Sequence, residues 1–171
     1  VMTKAAERFV TPLSVGALSN ERVLTDLFDL NEEREIGHIR LSREADLLVV
    51  APATANLLAK MANGFADDLA TTALLATDKP VLVAPAMNPR MWRNAAVQEN
   101  VQRLRERGVR ILGPGHGPVA CGDEGDGRML EPEMIVHSVL AHLAVQDAGV
   151  PAGAGRRVVI TAGPTYEAWD P

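Results

Sequence analysis

Apolar positions along this chain gather into short unbroken runs separated by helical stretches. Leu47-Leu48-Val49-Val50 and Val81-Leu82-Val83-Ala84 lack the alternation of a half-solvated strand, so they predict strands covered on both faces, over 47–51 and 80–84. A third run predicts a strand over 109–112. Between these runs the pattern turns helical: over 55–62, ended by Asn63-Gly64; over 66–76, rich in Ala and Leu; and over 89–107, stopped by Gly108. Residues 132–146 carry an apolar stripe of Ile135, Val136, Val139, Leu140 and Leu143, with His137 and His142 off it and exposed. Strand, two helices, strand, helix, strand, joined by short connections, implies a parallel sheet with right-handed crossovers. The expected fold class is therefore α/β, a flavodoxin-like (Rossmann-type) three-layer sandwich.

The flanks suggest how this domain is bounded. Val1-Met2-Thr3 reads as the tail of a strand, followed by short helices starting at Thr3 and Pro12, so the chain is expected to enter its domain part-way. Residues 1–149 are expected to form one domain, 150–155 a Pro/Gly/Ala linker, and 156–171 the first strand and turn of another. The stretch 113–128 holds six glycines and two prolines in sixteen residues and is expected to be a long loop, of the kind that serves as a lid. Its His116 and Asp126 read as solvated.

The two central strands end alike, in proline followed by small and polar residues: Pro52-Ala53-Thr54-Ala55-Asn56 after the first, Pro85-Ala86-Met87-Asn88-Pro89-Arg90-Met91-Trp92 after the second. Open α/β sheets bind ligands beyond the carboxyl ends of their strands, which makes both turns candidate sites. Thr54 either simply caps its helix or joins Asn56 and the helix amides in an anion or polar-ring site. Asn88 either caps a helix begun by Pro89 while Met87, Met91 and Trp92 fill core, or turns its amide to a ligand whose planar ring the Met and Trp flank. His38, beside Ile39, is of a type more often structural than catalytic, although imidazole suits proton and carboxylate work. Cys121 sits among small residues in the glycine-rich stretch, either as an accessible reactive thiol or as an incidental one. Adjacent Asp67 and Asp68 would point about 100° apart on a helix, so they fit an N-terminal turn better than a metal pair. No metal site is expected.

Composition narrows the partners. With 171 residues the chain suits one such domain plus the edge of a second. A net charge of −5, with no basic block, gives no electrostatic footprint for nucleic acid. One cysteine cannot form an internal disulfide, no membrane-length apolar run is present, and no signal peptide is expected. A cytoplasmic protein is expected, with neither a nucleic-acid nor a membrane partner.

The motif Pro-x-Met-Asn-x-x-Met-Trp is matched from Pro85 to Trp92 without a mismatch. In it the chain resembles the homo-oligomeric flavin-containing cysteine decarboxylases. Three further segments resemble the same family: Ala51-Pro52-Ala53-Thr54-Ala55-Asn56 its flavin-contacting segment, His38-Ile39-Arg40-Leu41 its active-site histidine, and Ala120-Cys121-Gly122-Asp123 a flap whose cysteine acts as an acid. Within that family the chain is most similar to the bacterial bifunctional phosphopantothenoylcysteine decarboxylase/phosphopantothenate-cysteine ligases, and the segment from Arg157 to Thr165 resembles the opening of their ligase domain. The resemblance implies FMN, contacted by Thr54, Asn56, Met87 and Asn88, with phosphopantothenoylcysteine as substrate. It implies that His38 orients the substrate carboxylate, Asn88 bonds flavin and substrate, and Cys121 donates a proton. It also implies CTP and Mg2+ for a ligase part, and a homo-oligomer, trimer or dodecamer. Two other readings stand beside it. A flavin prenyltransferase shares the sandwich but lacks the turn and flap motifs, and a non-catalytic regulatory flavoprotein lacks the flap cysteine.

Overall fold

The computed structural model describes residues 1–27, 41, 43–119, 122–146 and 157–161. A first helix, α1 (Pro12–Ser19), starts at Thr11, whose side chain accepts from Ser14 N, with Pro12 in the first turn. Strand β1 (Leu47–Ala53) leads into α2 (Ala55–Asn63), and α3 (Leu69–Ala76) follows. Strand β2 (Val81–Pro85) leads into α4 (Pro89–Arg93) and α5 (Ala95–Glu106). Then come β3 (Arg110–Ile111), β4 (Gly115–Pro118), β5 (Glu124–Arg128), α6 (Pro132–Gln146) and β6 (Val158–Thr161).

Among the described residues the main sheet runs in the order β3-β2-β1-β6, with every pair parallel. Register sets Leu48 beside Val81, Val49 beside Leu82 and Val50 beside Val83. Because successive strand residues face opposite ways, this register sorts the apolar runs onto two faces. Leu48, Val50, Val81 and Val83 pack with Leu57 and Leu58 of α2 and with Val101 and Leu104 of α5. Leu47, Val49, Leu82 and Ala84 pack with Ile135 and Leu143 of α6. Helices therefore cover both faces, and unbroken apolar runs are what such a strand requires. The architecture is the flavodoxin-like three-layer α/β sandwich.

Several elements differ from the sequence expectation, each for a local reason. The helix expected over 89–107 is broken at Asn94, whose backbone is extended (φ −63°, ψ 135°) and whose Oδ1 accepts from Ala96 N at 3.0 Å. An asparagine side chain competes for the backbone amides and makes a new cap inside the helical pattern. The loop expected over 113–128 is largely an antiparallel hairpin, β4 against β5, pairing His116 with Asp126 and Gly117 with Gly125. The stripe on α6 is narrower than expected: Ile135 and Leu143 are buried, but Val136 and Leu140 are exposed and His142 is half-buried. The helix expected from residue 66 starts at Leu69, because Asp68 and Thr71 form a reciprocal capping box there.

Strand β6 extends the sheet on the free side of β1, setting Leu47 beside Val158 and Val50 beside Thr161. The pairing is reinforced where Arg157 N donates to Asp46 Oδ2 at 2.8 Å.

Candidate functional site

The carboxyl ends of β1 and β2 lie together, since Ala86 N donates to Ala53 O at 3.0 Å. Each end passes at once into a helix. After β1, Thr54 is extended (ψ 163°) and its Oγ1 accepts from Leu57 N at 3.2 Å, capping α2. Asn56 sits exposed on the first turn of that helix. After β2, Asn88 caps α4, its Oδ1 accepting from Arg90 N at 2.7 Å. The capping reading thus holds for both residues, and it leaves the hydroxyl hydrogen of Thr54 and the Nδ2 of Asn88 to other partners.

The second turn lies against the hairpin. Met87 N donates to Gly127 O at 2.9 Å. Gly127 has φ +155°, and a Cβ there would stand 2.3 Å from Met87 O and 3.2 Å from Pro89 N. Only a residue without a side chain allows β5 to approach the turn so closely. Gly125, two positions earlier on the same face, has Pro89 Cβ 3.1 Å from where its own Cβ would be. At the far end of the hairpin, Val119 N donates to Asp123 O and Gly122 N to Val119 O, each at 2.9 Å. Asp123 Oδ2 then accepts from Asn88 Nδ2 at 2.8 Å, a bond spanning 35 positions.

Of the residues singled out in the sequence, the fold brings Thr54, Asn56, Met87 and Asn88 to one rim of the sheet. Met87 and Asn88 are half-buried there. Met87 and Trp92 both rest partly on the core cluster under that rim. His38 and Cys121 lie outside the described residues. Sequence reasoning missed Asp123 as the partner of Asn88, and Gly125 and Gly127 as the surface on which the turn rests. A signal existed for the glycines: Gly125-x-Gly127 has the period of a strand face, here one stripped of side chains.

Two other features lie apart from this rim. Lys60 Nζ donates to both carboxylate oxygens of Asp67 at 2.8 Å and stands 3.5 Å from Asp68 Oδ2. Its hydrogen bond to Asp67 holds the ammonium pKa above its usual value and the Asp67 carboxyl below its own. The paired aspartates therefore surround a lysine, and among the described residues no group of three or more His, Cys, Asp or Glu is placed to hold a metal. A groove of about 240 Å³, lined by Met61, Phe65, Leu74 and Leu104, opens near Pro80 and Val109, where β2 and β3 begin. That is the opposite end of the sheet from the turns. Among the described residues no helix is long and apolar enough to cross a membrane.

The chain is similar to known proteins in sequence and in fold. The Coenzyme A biosynthesis bifunctional protein CoaBC of Vibrio parahaemolyticus is 50% identical over 171 residues, all of this chain and 42% of that protein. The chain thus spans about 42% of the length of this curated relative. The crystal structure of SpaF, described as an FMN-dependent cysteine decarboxylase, is 36% identical, with a TM-score of 0.67 over 83% of this chain and 77% of that one. A cysteine-to-serine variant of a PPC decarboxylase, complexed with pantothenoylaminoethenethiol, is 29% identical, with a TM-score of 0.64 over 85% of this chain and 96% of that one. The pattern of the flavoprotein family matches residues 1–144. With the match covering most of its length, the chain belongs to the flavoprotein family.

Proposed function

We propose that this chain is the FMN-dependent decarboxylase part of a bifunctional coenzyme A biosynthesis protein, converting phosphopantothenoylcysteine to phosphopantetheine. The observation that carries the reading is the Asn88 turn: a carboxamide at the carboxyl end of a central strand, beneath a hairpin whose end holds the sequence Ala120-Cys121-Gly122-Asp123. The CoaBC and PPC decarboxylase relatives support it.

The donors at the rim fit a flavin. A carboxamide, a threonine hydroxyl, the first-turn amides of α2 and a half-buried thioether are neutral groups suited to the edge and face of a planar heteroaromatic ring. Thr54, Asn56, Met87 and Asn88 are the residues that would hold it. The chemistry requires such a group, because loss of CO2 from an N-acylated cysteine leaves a carbanion with no neighbouring electron sink. FMN, when bound, would supply a reversible hydride acceptor for the thiol-bearing carbon. Oxidation there would place a thiocarbonyl β to the carboxylate, an electron sink for the loss of CO2. His38 holds the substrate carboxylate, Asn88 bonds both flavin and substrate without titrating, and Cys121 gives the proton that completes the product.

By the same reading the protein is a cytoplasmic homo-oligomer, trimer or dodecamer. Residues 150–155 lead towards β6, which pairs with β1 in the sheet of this domain, and the ligase activity, which uses CTP and Mg2+, belongs to the rest of the full-length protein. The test is to incubate the full-length flavin-loaded protein with phosphopantothenoylcysteine and follow CO2 and product mass. Release of CO2 with formation of phosphopantetheine is expected, and absence of both defeats the reading. The Cys121→Ser variant should release CO2 yet stall at the oxidised thiol product with reduced flavin.

A further inference from the structure

Asn88 is held from two sides, and capping accounts for one of them. Its Oδ1 takes Arg90 N at 2.7 Å, which is all that a helix cap requires. The second bond runs from Nδ2 to Asp123 Oδ2 at 2.8 Å. An ionised carboxylate only accepts, so Asp123 can be satisfied by the nitrogen of the amide and is repelled by its oxygen. Together the two bonds assign the amide: oxygen towards α4, nitrogen towards the hairpin.

The donor and acceptor belong to segments that are seated together. Met87 N to Gly127 O joins the turn to β5, and Val119 N to Asp123 O closes the end of the hairpin that carries Asp123. The direction of the Asn88 amide is thereby tied to the position of Asp123 at the end of the hairpin. We propose that Asp123 is the positioning residue of this site: it fixes which edge of the Asn88 carboxamide faces the strand-end rim. The proposal rests on the decarboxylase reading for its effect on turnover, but not for its effect on a bound flavin.

The test uses the full-length FMN-loaded protein with Asp123→Ala and Asp123→Asn. Asp123 is exposed on the connecting turn, so removing its carboxylate leaves the core intact. Asp123→Ala is expected to lower kcat roughly ten- to hundredfold, the cost of a misoriented catalytic group. It should also shift the absorption band of the bound flavin while the melting temperature holds. Asp123→Asn offers a carbonyl to the same N–H, and is expected to recover turnover to within about threefold and to restore the band. Parental kcat and an unshifted band in Asp123→Ala overturn the proposal, as does an equal loss in both variants. If the parent releases no CO2, the decarboxylase reading falls. The flavin band then decides alone: a shift in Asp123→Ala that Asp123→Asn reverses supports the positioning role, and no shift overturns it.

Discussion

The turns that follow β1 and β2 are built to one plan and stabilised in two ways. Both leave a buried strand through proline and small residues, and both end in a side chain that caps the next helix. After β1 the helix has nine residues and buries Leu57, Leu58 and Ala62, so Thr54 starts an element anchored by its own packing. After β2 the helix has five residues, of which Pro89 is buried, too short to be stable alone. Apart from the Asn88 side chain, that turn is held by backbone bonds, Met87 N to Gly127 O from 40 residues away and Ala86 N to Ala53 O of the sheet. A polar side chain placed for a ligand is best kept on a segment whose position is fixed by something other than that side chain, and the second turn meets this condition.

The sharpest way to break the comparison is at the brace. Gly127→Ala would drive a Cβ into Met87 O, so the hairpin must lift or the turn must shift. The expected cost is about 3 kcal/mol, read by thermal or denaturant unfolding, with loss of flavin retention. Next come the paired caps. Thr54→Ala and Asn88→Ala should each cost about 1 kcal/mol of stability as lost caps. If the turns differ in role, Asn88→Ala also loses turnover by roughly a hundredfold or more, as removal of one oriented catalytic donor does. Thr54→Ala then loses mainly flavin affinity. Equal kinetics in the two variants would make both residues caps and nothing more.

The smallest effect lies away from both turns, at Lys60. Asp67 titrates below its ordinary 3.8 when folded, chiefly through its bond to Lys60, so this contribution is present above that pH and disappears as pH falls through the lowered value. Lys60 titrates above its ordinary 10.5, so its contribution is present below that pH and is lost as pH rises through the raised value. Lys60→Met should flatten both limbs of a melting-temperature profile and leave turnover and both turns unaffected. Solvent screening keeps the change slight, since the Asp67 carboxylate is exposed.

The sandwich and its rim were legible in the sequence because their signals are local and redundant. Two unbroken apolar runs, each closed by proline and a capping residue, leave little choice but buried parallel strands with helices after them, and α6 is found over the residues its pattern predicts. The break at Asn94 was not legible, since its flanks are good helix formers and the winning interaction is a single side-chain bond to Ala96 N. Glycine also masked the hairpin. A strand with no side chains on one face has no hydrophobic alternation to read, although its backbone pairs normally. The bond between Asn88 and Asp123 joins residues that no periodicity relates, and only the folded chain shows it.

The link between Met87 and Gly127 also provides a built-in reporter. The amide hydrogens of residues 86 and 87 are neighbours in the chain, but the first is held by Ala53 of the sheet and the second by the hairpin. Their exchange with deuterated water therefore reads two separate openings. Residue 86 exchanges when strands part, and residue 87 as soon as the ribbon rises, so a ligand clasped beneath that ribbon would slow the second amide and leave the first unchanged.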